Sequence, residues 1–171
     1  MKTLLLMRHA KSSWQDAAQP DHDRELNGRG RRAAPFMGEL LARQDLLPDF
    51  VITSTAVRAL DTAKTVIASA SYQGPLEITR RLYLAEVSTH YEVLLDVPVG
   101  RERVLLVGHN PGISDFLLSL TGEEHDMPTA AIARIDLDLS EFSAIREGIR
   151  GKLVNFWRPR EEQKGEKKSR G

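Results

Sequence analysis

An arginine and a histidine stand side by side in the tetrad Arg8-His9-Ala10-Lys11, directly after the apolar run Leu4-Leu5-Leu6-Met7. The pair suits an anionic group. A guanidinium is a planar, permanently charged fork of donors, and an imidazole can be a neutral nucleophile near pH 7. An unbroken apolar run reads as a strand covered on both faces, and open α/β folds bind ligands where such strands leave the sheet. Alone the tetrad is weak, because a single histidine after a strand is more often structural. Two further segments reverse that reading.

The first is Thr53-Ser54-Thr55-Ala56-Val57-Arg58, which leads from a second apolar run into a helical pattern. Ser54 or Thr55 is expected to cap the helix, and Arg58 in its first turn can reach the same edge as Arg8. A helix N-terminus with an arginine is an anion site. The plainer reading is a solvated arginine with Asp61 as its i+3 partner. The second segment is Val107-Gly108-His109-Asn110-Pro111-Gly112. Gly108 permits close backbone approach, Asn110 is expected to cap the next helix, and Pro111 suits its first turn. A loop histidine bonded to a backbone carbonyl is the plainer reading of His109.

Three strand ends thus deliver Arg8, His9, Arg58 and His109. Adjacent strands lie ~5 Å apart, so these side chains can converge in one crevice. With no partner carboxylate in these motifs, the pocket is expected to hold a dianion, most simply phosphate. Two guanidinium groups would repel a divalent cation such as zinc from the two histidines. No metal or other cofactor is expected.

A frame must bring these ends together. Apolar patterning predicts strands over 3–7, 50–53, 76–78, 104–107, 130–137 and 152–156, and helices over 28–43, 56–69, 89–97 and 112–120. Apolar residues recur at helical spacing at Ala33, Phe36, Met37, Leu40 and Leu41, and again at Ala59, Leu60, Ala63, Val66 and Ile67. Strand–helix alternation implies a three-layer α/β/α sandwich with a mainly parallel sheet. Residues 1–159 are expected to form one domain. Residues 160–171, rich in Lys, Glu, Gly and Ser, are expected to be a disordered charged tail.

Composition narrows the function classes. The chain has 171 residues with 24 basic and 24 acidic side chains, so no global field attracts nucleic acid or membrane. It has no cysteine, which excludes disulfides and thiolate chemistry. The apolar run before Arg8 is too short for a signal-peptide core, and the expected location is the cytoplasm.

The residues Leu6-Met7-Arg8-His9-Ala10-Lys11, Arg24-Glu25-Leu26-Asn27-x-x-Gly30, Ser54-x-x-x-Arg58-Ala59-x-x-Thr62 and Gly108-His109-Asn110-Pro111 occur in that order. With Thr129-Ala130-Ala131-Ile132-Ala133 they span roughly residues 1–157. On these motifs the chain resembles the histidine phosphatase superfamily, with its phosphoglycerate mutase-like fold, and within it the SixA-type phosphohistidine phosphatases. The resemblance implies that His9 is the nucleophile that becomes phosphorylated. It implies that Arg8 and Arg58 bind the phosphoryl oxygens and His109 completes the cradle, with Lys11 and Ser54 among the binding residues. The activity implied is a metal-independent phosphatase acting through a phosphohistidine intermediate on a phosphohistidine carrier protein. A small phosphomonoester is the alternative substrate, and a non-catalytic phosphate-binding module the alternative role. An intact His9 favours an enzyme.

The segment over residues 81–89 is short, and Glu86 is its only acid. It is a candidate proton donor for the leaving group; an exposed glutamate at a helix start is the other reading. The short segment leaves the site uncovered, which suits a protein-borne substrate. Asp21-His22-Asp23 is expected to position Arg24 rather than bind an ion, and Trp14 to line the pocket or pack beneath it. His90 and His125 are expected at the surface.

Overall fold

The central strands follow from the unbroken apolar runs. In the computed structural model, which describes residues 1–171, the elements in chain order are β1 (Lys2–Arg8), α1 (Gly28–Arg43), β2 (Phe50–Ser54), α2 (Val57–Ser69) and β3 (Leu76–Thr79). They continue with α3 (Val87–Leu95), β4 (Arg103–Gly108), α4 (Gly112–Thr121), β5 (Ile132–Leu137), β6 (Lys152–Trp157) and α5 (Pro159–Ser169). The strands form one sheet in the order β3-β2-β4-β1-β5-β6. The first four in that order are parallel, and β5 and β6 add antiparallel neighbours beyond β1.

The runs lack polar alternation because both faces of the sheet are covered. Leu4, Leu6, Ile52, Val104 and Leu106 pack with Leu94, Phe116 and Leu117 of α3 and α4. Their neighbours Leu5, Met7, Val51, Leu105 and Val107 pack with Met37, Leu41, Ala63 and Val66 of α1 and α2. Successive side chains on a strand point to opposite faces, so two apolar layers demand a continuous apolar sequence. The expected three-layer architecture is the observed one.

Register then fixes where the functional residues emerge. Arg8 of β1 pairs with Gly108 of β4, and Thr53 of β2 pairs with Val107 of β4. Three strands therefore end at one level, and His9, Ser54 and His109 leave the sheet together. The His9 N–H donates to the Gly108 carbonyl at 3.1 Å, carrying the pairing one step past the strand.

The C-terminal segment departs from expectation. Residues 159–169 form helix α5, where a disordered tail was expected. Lack of apolar side chains argues against a core but not against a helix. Pro159 starts the helix, Glu161 and Glu162 stand in its first turn, and Lys167 and Lys168 in its last, all matching the helix dipole. Glu166 anchors it to α1 through Arg43 at 2.7 Å. No helix is long and apolar enough to cross a membrane.

Helices α1 and α2 approach closely at Gly38. A Cβ there would fall on the Val66 carbonyl and the Ser69 hydroxyl. Intrinsic propensity favours alanine over glycine in a helix interior. Gly38→Ala should nonetheless destabilise the fold by about 1–3 kcal/mol, because packing against a backbone carbonyl cannot yield cheaply. Thermal melting of the variant checks this, and an unchanged or raised Tm would refute it.

Candidate active site

His9 lies at the centre of the three strand ends and is almost fully buried. Its Nδ1 is 2.7 Å from the Ala10 carbonyl oxygen. A carbonyl only accepts, so Nδ1 carries the ring proton and Nε2 of the neutral ring keeps its lone pair. Arg58 Nε donates toward that Nε2 at 3.4 Å. Burial is the main influence on the His9 pKa. The Ala10 carbonyl opposes it, the charges of Arg58, Arg8 and Arg24 reinforce it, and the pKa is brought down from an ordinary 6.5 to about 3. The His9 loop is tied to α2 through Thr62, whose hydroxyl accepts from the Ala10 N–H at 2.9 Å and donates to the Arg58 carbonyl at 2.6 Å.

Arg58 does not pair with Asp61. Its Nη1 donates to the Asp21 carbonyl oxygen at 2.6 Å and its Nη2 to the Asp21 carboxylate at 3.0 Å. The same carboxylate accepts from Arg24 Nε at 3.1 Å and from the Tyr83 hydroxyl at 2.6 Å. Burial alone would raise the Asp21 pKa. The hydrogen bonds from Tyr83 and Arg58, the Arg58 charge and the bond from Arg24 outweigh it and hold the group at about 2. The motifs contained no partner carboxylate; the structure supplies one from a loop. Asp21 therefore positions Arg24, as expected, and Arg58 as well. Arg24 also donates to the Ser12 hydroxyl, and its guanidinium lies 3.6 Å above the Trp14 ring.

His109 faces His9 with ring centroids 5.1 Å apart. Its Nε2 is 2.7 Å from the Ser54 hydroxyl, and its Nδ1 is buried without a partner. Burial, then the charges of His9, Arg58 and Arg8 against the opposing Asp21, bring its pKa down to about 3. Neither Ser54 nor Thr55 caps α2, whose N-cap is Ala56 without a side-chain bond. Ser54 instead accepts from the Ala56 N–H at 3.2 Å while holding His109, and Thr55 bonds His22 Nε2 at 2.8 Å. Asn110 does not cap α4 either. It donates to the Met127 carbonyl at 3.0 Å and accepts from the Ser114 hydroxyl at 2.6 Å, bracing the loop that follows α4. Arg8 Nη1 donates to the same Met127 carbonyl at 3.0 Å, while Arg8 Nε has no partner.

A cavity of about 310 Å³ opens over these groups, lined by Arg8, His9, Lys11, Arg24, Arg58 and His109 together with Trp14, Asp21, Leu84 and Thr129. Ser54 is fully buried beneath it, behind His109. Glu86 does not line it. That residue is exposed at the start of α3, and its carbonyl accepts from His90 Nδ1 at 2.7 Å. His90 is not at the surface but 1% exposed, stacked on Phe116 at 5.0 Å on the inner face of α3, with burial lowering its pKa. His125 is half-buried against Phe156. No group of three or more His, Cys, Asp or Glu side chains is arranged to hold a metal ion. Four cations, one carboxylate and two neutral imidazoles make an anion receptor with the His9 Nε2, its lone pair beside Arg58, at its floor.

Asp21, Arg24 and Tyr83 are the participants that the motifs underrated. The available signal was the charge density of Pro20-Asp21-His22-Asp23-Arg24, five residues without an apolar side chain other than proline.

The neutral histidines have a thermodynamic consequence. His9 and His109 bind protons at about 3 when folded and near 6.5 when unfolded, so the unfolded chain holds more protons throughout that interval. Stability is fully present above pH 6.5 and is lost as pH falls toward 3. The slope is about 1.4 kcal/mol per pH unit for each histidine, and His90 contributes in the same direction. Urea unfolding followed between pH 7 and pH 4 checks this. A free energy that stays level over that range would show that the histidines are protonated in the folded state.

Known proteins resemble this chain in sequence and in fold. The family model "Histidine phosphatase superfamily (branch 1)" matches residues 4–89, which include Arg8, His9 and Arg58. An uncharacterized protein of Mycobacterium tuberculosis is 35% identical over 165 residues, covering 90% of this chain and 100% of its own. The crystal structure of a SixA from Agrobacterium tumefaciens, assigned as a phosphohistidine phosphatase, superposes with a TM-score of 0.79 at 27% identity, over 92% of this chain and 98% of that one. A structure of the protein histidine phosphatase SixA complexed with tungstate superposes with a TM-score of 0.80 at 24% identity, over 94% and 99% of the two chains. The chain belongs to the histidine phosphatase superfamily.

Proposed function

We propose that this protein is a metal-independent phosphatase that hydrolyses protein-borne phosphohistidine through a phosphohistidine intermediate of its own. The observation that carries the reading is the state of His9: neutral, with its proton on Nδ1 and its Nε2 lone pair beside Arg58. In the first step the Nε2 lone pair forms a bond to phosphorus, and the bond from phosphorus to the substrate nitrogen breaks. The departing imidazole takes up a proton from solvent. In the second step water attacks the same phosphorus, the P–Nε2 bond breaks, and inorganic phosphate leaves with His9 restored. Arg8 and Arg58 hold the equatorial oxygens, and such positioning is the larger part of phosphoryl-transfer catalysis. The Nδ1–H···O=C bond to Ala10 keeps the ring oriented through both steps.

The choice of phosphohistidine rests on what the pocket lacks. Asp21 is held ionised at about 2 by its partners and is a poor acid. His109 is neutral, and Glu86 stands outside the cavity. A leaving group that departs well without a strong general acid fits this arrangement, and an alkoxide does not. The rim also suits a macromolecule. Trp14 and Leu84 line the cavity mouth at 72% and 58% exposure, apolar surface presented to whatever docks there. The tungstate complex of the SixA neighbour supports an oxyanion site on this fold.

Substrate preference tests the reading directly. Phosphohistidine peptides and p-nitrophenyl phosphate should be turned over, and alkyl phosphates poorly. Equal turnover of alkyl phosphates would favour a small-molecule phosphomonoesterase, and phosphate binding without any turnover a binding module. Glu86→Gln should change kcat/KM less than about twofold across the leaving-group series, since it touches neither substrate nor cavity. A large loss confined to alkyl phosphates would make it the acid after all.

His9→Ala should reduce turnover by at least about a thousandfold, the usual scale of a nucleophile knockout, with the fold intact. Quenching the wild type during turnover of labelled substrate should trap an acid-labile, alkali-stable phosphoryl group that the variant lacks. Arg58→Lys keeps the charge but loses the planar fork. It should lower kcat and weaken vanadate inhibition together, by about tenfold or more each. Unchanged vanadate inhibition would place Arg58 outside the phosphoryl site.

A further inference from the structure

A second and larger cavity, about 670 Å³, adjoins the first and shares Lys11 and Thr129 with it. Its walls carry five cations, Lys11, Arg29, Arg32, Arg158 and Arg160, against a single acid, Glu161. These come from three places: the loop after β1, the first turn of α1, and the junction of β6 with α5. The chain is neutral overall, and most of the arginines at the first site are tied to carboxylates. Here Lys11, Arg29, Arg32 and Arg160 form no ion pair, and Arg158 is a loose 3.9 Å from Glu161.

The sequence of α1 works against its own helix to put them there. Its first turn has no acid and begins Gly28-Arg29-Gly30-Arg31-Arg32. Cations at the positive end of a helix dipole are unfavourable. An anion lying in the groove would meet both those cations and that dipole, and the repulsion would become attraction. Gly30 brings the two cavities together: a Cβ there would fall on the Lys11 backbone, so only glycine lets the nucleophile loop lie on the first turn of α1.

We infer that this groove binds an acidic segment of the phosphorylated protein, whose carboxylates anchor it while the phosphohistidine enters the neighbouring pocket. The inference rests on the protein-phosphohistidine reading above. Spaced arginines on separate elements match successive Asp or Glu side chains, each able to take a bidentate bond, better than one compact anion. Ala33, Pro128 and Pro159 are the only small apolar side chains among its lining, with no large apolar one, which makes charge the recognising force. The exposed positions of Lys11, Arg29, Arg32 and Arg160 leave the groove open to a partner's surface.

The variant Arg29→Ser/Arg32→Ser/Arg160→Ser tests this without touching His9, Arg8, Arg58 or Lys11. Fluorescence anisotropy with an unphosphorylated Glu-rich peptide should show binding to the wild type that weakens as salt is raised. The variant should bind it about tenfold more weakly, and the Gln counterpart should not bind either protein. Equal affinities in wild type and variant would overturn the inference. So would tighter binding of tripolyphosphate or an oligonucleotide of equal charge, which would assign the groove to another polyanion. In turnover, phosphohistidine peptides with Glu-rich flanks should exceed those with Gln-rich flanks by about tenfold in kcat/KM, through KM. The variant should lose that preference and keep wild-type turnover of p-nitrophenyl phosphate. Turnover of both phosphopeptides at equal rates would remove the groove from substrate recognition. If neither phosphopeptide is turned over while the Glu-rich peptide still binds the wild type alone, the phosphohistidine reading falls and the groove stands.

Discussion

A histidine that is to attack phosphorus must stay unprotonated among the cations that hold the phosphate. The two requirements support each other in this site. Arg58, Arg8 and Arg24 stand close enough to His9 to oppose a second ring proton, and burial opposes it more strongly. The same charges are what a phosphoryl group seeks. Left alone, three guanidinium groups at close quarters would repel one another. Asp21 answers that by bridging Arg24 and Arg58, with Tyr83 taking up a further bond to the carboxylate. One carboxylate among three arginines leaves the pocket net positive, so the bridge orders the cations without cancelling the field.

The fold serves this arrangement through register more than through any single contact. Pairing of Arg8 with Gly108 and of Thr53 with Val107 ends three strands at one height. A slip of one residue on β1 would turn Leu5 and Met7 toward the wrong helical layer and lift His9 away from His109. Burial on both faces makes that slip costly, so the core that stabilises the sheet also sets the geometry of the cavity above it. The two apolar layers and the four polar residues above them are therefore one specification.

That coupling explains what the sequence disclosed. Arg8, His9, Arg58 and His109 were legible because each sits one step beyond an apolar run or in the first turn after it, where periodicity locates the sheet edge. Asp21 was not, because it belongs to a loop without periodicity and meets Arg58 across 37 positions of chain. The capping roles expected of Ser54 and Asn110 failed for a related reason. Ser54 divides its hydroxyl between His109 and the Ala56 N–H just ahead of the helix, and Asn110 spends its amide on Met127 and Ser114. His90 lay on an apolar helix face whose inward side depended on α4, which no local pattern reveals. The helix over 159–169 has no apolar stripe to announce it, and only Glu161, Glu162, Lys167 and Lys168, placed to suit the helix dipole, mark its ends.

A chain with no net charge can still bind polyanions if its charges are sorted, and here the sorting has two grades. At the floor of the first cavity two of the arginines are neutralised in part by Asp21, a degree of positive charge suited to releasing phosphate after each turnover. In the second cavity the cations stand almost unopposed around the first turn of α1. A weakly held product and a strongly held recognition segment are the properties required if affinity for the partner is to come from contacts remote from the reacting atoms. Binding energy spent there can bring the phosphoryl group to His9 without deepening the phosphate site, and product release is then not slowed by the contacts that gave selectivity.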